Sequence, residues 1–275
     1  MSDLVPLLRT GRAAIEQAVA TLRSAEPGRV TAKADRDMVS ELDLAIERAA
    51  RQHLLRATPH LGFLGEEEGQ DGPSDHTWIM DPIDGTANFL RALPLYGIAL
   101  ALVRESWPVI GIVALPVLNR TYWATEGTGA WLNGRRIAAA TTATLNRAIV
   151  AVGDYAFGDQ AAIRNPPMHA LHHALADRAQ RVRMLGSAAV DLAFVADATL
   201  DASITIGNNP WDMAAGVIIA REAGAHVIDL DGTEHHGGST ATIAVAPGIR
   251  DELLDAIRRQ AAPPADTAFT KERAC

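Results

Sequence analysis

The sequence predicts an α/β (α+β) protein built from two associated halves, a largely antiparallel α+β half followed by an α/β half. Three observations carry this. Of 275 residues 48% are hydrophobic, enough to bury a sizeable core. Two helical periodicities open the chain and give way to short alternating runs separated by Pro, Gly and acidic turns. From "NRAIVAVGDY" onward, strand and helix alternate, the pattern of strands covered by helices on both faces.

In order along the chain, Leu4, Leu7, Leu8, Ile15, Val19 and Leu22 recur at three and four spacing, which predicts an amphipathic helix. A second helix is expected from about Val39 to Leu55, with "EPGRVTAKADRD" between them as a loop or hairpin. "GFLGEE", "TWIMDP", "YGIALALVRE", "WPVIGIVALP" and "RTYWATEG" read as successive strands, and "GAWLNGRRI" as a hairpin. The second half is expected to hold a helix near 163–179, a strand at "VRML", a helix from Ser187, a strand at "DASITI", a helix from Trp211, a strand at "AHVIDL", a strand at "TATIAVA" and the helix "IRDELLDAIRRQ". "AAATTAT" marks the expected boundary, giving halves at 1–140 and 141–262. The tail at 263–275 has no period and is expected to be disordered.

The formal net charge is −8. Without a Lys/Arg run, this argues against a nucleic-acid or anionic-membrane partner. Cys275 is the only cysteine, so no intrachain disulfide forms and a reducing, cytoplasmic setting is expected. The N-terminus lacks the features of a secretory signal, and no stretch of about 18 uninterrupted apolar residues suggests a membrane span.

The chemistry concentrates in "GEEEG" and "WIMDPIDGTANF". Pro82 is expected to start a tight turn that brings Asp81 and Asp84 to one side. Convergent hard oxygens suit Mg²⁺ or Ca²⁺; the same residues also suit a plain solvated turn. Gly85 permits close approach, and Thr86 is expected to cap the next helix, whose N–H groups attract an anion. Glu66, the acid nearest its strand, is expected to face a site, with Glu67 and Glu68 in a charged loop. Asp212 follows Pro210 in the first turn of a helix, and Ser187 follows Gly186 at another helix start. Capping explains either alone, but not the conjunction of these starts with acidic strand ends. His169, His172 and His173 read as a solvated helix face, and His235 and His236 as a solvated loop.

Taken together, "KADRDMVSELDLAIE", "GEEEG", "WIMDPIDGTANF", "GSAAVDLAFVA" and "PWDMAAGVIIAREAG" resemble the inositol monophosphatase family of Mg²⁺-dependent, Li⁺-sensitive phosphatases over nearly the whole chain. The resemblance implies a layered sandwich of alternating helix and sheet layers, a homodimer, and two or three Mg²⁺ per site. It implies Glu66, Asp81 and the Ile83 carbonyl as ligands of one ion, and Asp81, Asp84 and Asp212 as ligands of a second. Glu66 and Thr86 would orient the attacking water, with Asp43 a nearby acid and Lys33 a loop residue associated with metal binding. For substrate it implies contacts from Asp84, Gly85, Thr86, Gly186, Ser187 and Asp212. Ser40 stands where the family often has Thr and keeps the hydroxyl. Thr205 stands where inositol-specific members carry an acid, which leaves histidinol phosphate or a specialised sugar phosphate as alternatives to inositol 1-phosphate. A non-catalytic interaction protein on the same scaffold is the alternative of a different class.

Overall fold

A computed structural model describes residues 4–24, 30–34, 37–73, 75–207 and 209–261, with backbone alone for those within 30–39 and for 160, 260 and 261. The expected tail, Cys275 included, lies outside the described residues. Helix α1 (Leu4–Ser24) buries Ile15 and Leu22 of the expected stripe together with Ala14 and Ala18, while Leu4, Leu7, Leu8 and Val19 pack partly buried against the same core. Strands β1 (Val30–Ala34) and β2 (Asp37–Ser40) form an antiparallel hairpin. Helix α2 (Glu41–Ala57) starts two residues later than Val39, which belongs to β2. Ser40 sets that start: its hydroxyl and the Asp43 carboxylate cap one another's backbone N–H groups.

The next strands are β3 (Gly62–Gly65), β4 (Gly69–Asp71) and β5 (His76–Asp84). After the single turn of α3 (Thr86–Leu90) come β6 (Gly97–Arg104), β7 (Trp107–Leu115), β8 (Arg120–Thr125), β9 (Ala130–Leu132) and β10 (Arg135–Ile137). They make an eight-stranded sheet in the order β10-β9-β8-β7-β6-β5-β3-β4, antiparallel except for the β3–β5 pair. The β9–β10 hairpin turns on Asn133 and Gly134, both at positive φ, as an Asn-Gly turn of this length requires.

The second half contains β11 (Ile149–Val152), α4 (Ala161–Arg178), β12 (Arg181–Arg183), α5 (Ala188–Ala196), β13 (Ala202–Ile206), α6 (Pro210–Glu222), β14 (His226–Ile228), β15 (Ala241–Val245) and α7 (Arg250–Ala261). Its five-stranded sheet runs β12-β11-β13-β15-β14. The strands at "VRML" and "AHVIDL" are shorter than expected. Only β12, β11 and β13 are mutually parallel, and β15 runs against both of its neighbours.

Five layers result: α1/α2, the large sheet, α5/α6, the small sheet, and α4/α7. Strand β6 shows why they stack. Ile98, Leu100 and Leu102 pack among α1 and α2, while the alternate Ala99 and Ala101 face α5 and α6. Small side chains on that second face let α6 lie close to the strands that carry the acidic residues. Among the described residues, no helix is long and apolar enough to cross a membrane.

Candidate active site

Where the large sheet meets α5 and α6, a cavity of about 410 Å³ is lined by Glu66, Asp81, Ile83, Asp84, Gly85, Thr86, Gly186, Ser187, Thr205 and Asp212. Asp81 and Asp84 are brought there by a bulge, not by the expected Pro82 turn. The pair lies inside β5, and in a regular strand residues three apart point to opposite faces. Opposite them, Asp81 pairs with Ala99 and Asp84 with Gly97, so three steps on β5 match two on β6. The extra residue restores both carboxylates to one side and tolerates Pro82 within the sheet. The Asp81 Oδ1 accepts the Ile83 N–H at 2.9 Å.

Gly85, not Thr86, is the cap of α3, with φ +87°. Thr86 is the first helical residue, and its hydroxyl donates to the Ile83 carbonyl at 3.0 Å. A Cβ on Gly85 would lie 3.1 Å from the Gly186 carbonyl and the Ser187 Cβ. Gly85→Ala is therefore expected to cost about 1–2 kcal/mol for the left-handed backbone alone. An unchanged urea midpoint would show that this strain is absent.

Ser187 caps α5 as expected, accepting the Val190 N–H. Its hydroxyl also donates to Asp84 Oδ2 at 2.8 Å, and the Ala189 N–H donates to the same oxygen at 2.5 Å. Asp84 thus sits on the positive end of α5. Asp212, in the first turn of α6 behind Pro210, accepts from the Asn209 side chain at 3.1 Å. The Glu66 N–H donates to the Met80 carbonyl at 3.2 Å, which ties the turn after β3 to β5.

These acids raise one another. Burial first, then the charges of Glu66, Asp84 and Asp212, pushes the Asp81 carboxyl well above the ordinary range. Burial outweighs the Ala189 and Ser187 hydrogen bonds and lifts Asp84 to about 6. Asp212 is pushed to about 8 by burial and by the charges of Asp84 and Glu66. Among the described lining residues the guanidinium is that of Arg164, whose Nη2 donates to the Ile206 carbonyl at 2.9 Å. No group of three His, Cys, Asp or Glu side chains among the described residues is preset around an ion. A divalent cation fits by donor chemistry: hard oxygens from four acids that share one cavity.

Asp43 does not line the cavity. It is buried at the third position of α2, bonded to Ser40, with its pKa raised by burial and slightly by Glu66. Lys33 lies on β1 with its side chain outside the described residues. His235 is buried, not solvated: its Nε2 meets Thr242 Oγ1 at 2.8 Å and burial lowers its pKa to about 4. His172 meets the Tyr155 hydroxyl at 3.1 Å, while His169 and His173 are exposed.

Sequence reasoning missed Asp191, Asp154, Tyr155 and Arg164, which also line the cavity. Asp191 is the one acid in the apolar helix "AAVDLAFVA", buried with Oδ1 unpartnered, and that lone charge was its signal. Asn88 was missed too: its amide donates to the carbonyls of Leu95 and Leu185 and holds the approach to Gly186.

A layered αβαβα sandwich thus carries a carboxylate cluster where its large sheet meets α5 and α6, a donor set suited to a hard divalent cation. The profile of the inositol monophosphatase family matches residues 3–262, and the chain belongs to that family, one of magnesium-dependent phosphatases. It is similar to the Thermotoga maritima fructose-1,6-bisphosphatase/inositol-1-monophosphatase, 36% identical over 81% of this chain and 83% of that one. Similarity extends to the Nus factor SuhB of Xylella fastidiosa, 35% identical over 83% and 82%. Among solved structures, the Thermotoga maritima IMPase superposes with TM-score 0.82 at 32% identity, covering 95% of this chain and 98% of that one. The SuhB protein of Bartonella henselae does so at 0.86 and 29%, covering 92% and 99%.

Proposed function

We propose that this chain hydrolyses the phosphate monoester of a small polyol or sugar, inositol 1-phosphate-like, with Mg²⁺. The observation that carries this is the convergence of Glu66, Asp81, Asp84 and Asp212 from three separate elements on one cavity. Bound Mg²⁺, two or three per site, would supply charge to receive the phosphate dianion, acidify water and neutralise the leaving alkoxide. Glu66, Asp81 and the Ile83 carbonyl would hold one ion; Asp81, Asp84 and Asp212 a second. Thr86 and Glu66 orient the attacking water, the Thr86 hydroxyl being already aimed by its bond to Ile83. Backbone N–H groups of Gly85 and Thr86 receive the phosphate, while Gly186 and Ser187 touch the alcohol half, with Asp43 supporting from α2.

Thr205 lines the cavity, with a hydroxyl where the family resemblance gives inositol-specific members an acid. That keeps histidinol phosphate and specialised sugar phosphates in contention. Arg164 as the guanidinium among the described lining residues favours a monoester over a bisphosphate, although one relative's name carries both activities. Phosphate release from a panel of these esters with Mg²⁺ tests the reading, and inactivity across the panel rejects it. Millimolar Li⁺ is expected to inhibit the Mg²⁺-dependent reaction; an unaffected rate would mean that the second cation site is not of the family type. The name Nus factor SuhB on a relative supports a second reading, an interaction protein on this scaffold. The retention of all four acids favours catalysis. A homodimer is the assembly the family likeness implies, and sedimentation would test it.

A further inference from the structure

We propose that Glu47, on α2 and outside the cavity, is a positioning residue that fixes the backbone carrying Glu66 and thereby sets the affinity for divalent cations. The proposal rests on the reading of Glu66 as a cation ligand. Glu47 is fully buried, at 0% exposure. Its Oε2 accepts the Glu67 N–H at 2.8 Å and its Oε1 the Glu68 N–H at 3.0 Å, so one carboxylate holds two consecutive amides. Arg51, one turn along α2, donates to the same Oε1 at 2.9 Å and to the Gly69 carbonyl at 3.0 Å. The Arg51 guanidinium also lies 4.6 Å over the Phe63 ring, on the strand that feeds the turn. Arg48 pairs with Glu68 at 2.7 Å only at the solvent-exposed edge, outside this buried set of contacts.

One face of α2 therefore grips residues 67–69 from behind, while Glu66 itself faces the cavity. Gly65 records how close the grip is: a Cβ there would lie 2.1 Å from the Glu47 Cδ. Three successive acids would otherwise repel one another and splay. Groups that orient a ligand without touching the ion commonly change affinity when removed, because the ligand then has more conformations to lose on binding.

The test is a Mn²⁺ titration of the full chain by electron paramagnetic resonance, without substrate, combined with amide exchange at residues 67 and 68 in cation-free protein. Glu47→Gln keeps the shape and loses the charge. It is expected to weaken Mn²⁺ binding about 10-fold or more, within the 10–100-fold range of such residues, and to speed exchange of both amides. Arg51→Lys, which keeps charge without the fork, should move both readouts in the same direction by less, and it stands in should Glu47→Gln not fold. Arg48→Ala, acting on an exposed pair, should leave Mn²⁺ affinity unchanged. A purely structural Glu47 would lower the melting temperature and leave Mn²⁺ affinity where it was; that result overturns the proposal. A wild type that binds no Mn²⁺ overturns the functional reading instead.

Discussion

Asp84→Asn and Asp212→Asn are each expected to lower turnover on the order of 10³-fold at saturating Mg²⁺, the loss of one charged contact to the cations that carry the barrier. The fold should survive, because the amide can still accept the hydrogen bonds that Ser187 and Ala189 now give to Asp84. Asp212, with a folded pKa near 8, is largely protonated in cation-free protein at neutral pH, so the amide there replaces a neutral carboxyl, while Asp84→Asn takes a charge out of a cluster whose members raise one another's pKa. The variants should therefore melt no lower than the wild type in the absence of cations. Near-normal turnover in either variant would remove the role assigned to that carboxylate. A large fall in melting temperature would show that the acid is held for the fold instead.

The second large effect is on stability without cations. Asp212 has a folded pKa near 8 against an ordinary 3.8. Between those values the native chain holds a proton that the unfolded chain has released, so stability is lost as pH rises through that window. Asp84, pushed to about 6, acts the same way in the lower part. His235 opposes them between about 4 and its ordinary 6.5, because there the unfolded chain binds the proton and the native imidazole does not. Above 6.5 His235 no longer opposes, and Asp212 should cost about 2 kcal/mol by pH 8, with Asp81 and Asp191, both raised well above the ordinary carboxylate range, acting in the same direction. On the proposed reading Mg²⁺ binds the ionised acids, so saturating Mg²⁺ should then raise the melting temperature more at pH 8 than at pH 6.5. Melts with chelator and with Mg²⁺ at both values check this; a cation-free melting temperature that rises with pH across the window contradicts it.

The α1 stripe, the Asn-Gly hairpin, the Ser187 cap and the Pro210 start of α6 were all legible because each depends on residues within about one turn of one another. The acids were legible as residue types, and so was the family likeness. Their convergence rested on the wrong device: Pro82 suggested a turn, whereas the register of β5 against β6 makes a bulge. Asp191 was passed over within an apolar helix, Glu47 within an ordinary amphipathic one, and His235 within a Gly-rich loop that covers it.

By itself the sequence determined most helices and strands, the Ser187 cap, the Pro210 start of α6 and four of the acids that line the cavity, since periodicity and capping are properties of neighbouring residues. Only the tertiary structure decided that β15 runs antiparallel to β13, that Asp81 and Asp84 share a face, and that Glu47 holds the turn behind Glu66. Each of these is a pairing between segments far apart in the chain. Such pairings are selected by how whole layers bury their apolar faces against one another, and no local pattern records that choice.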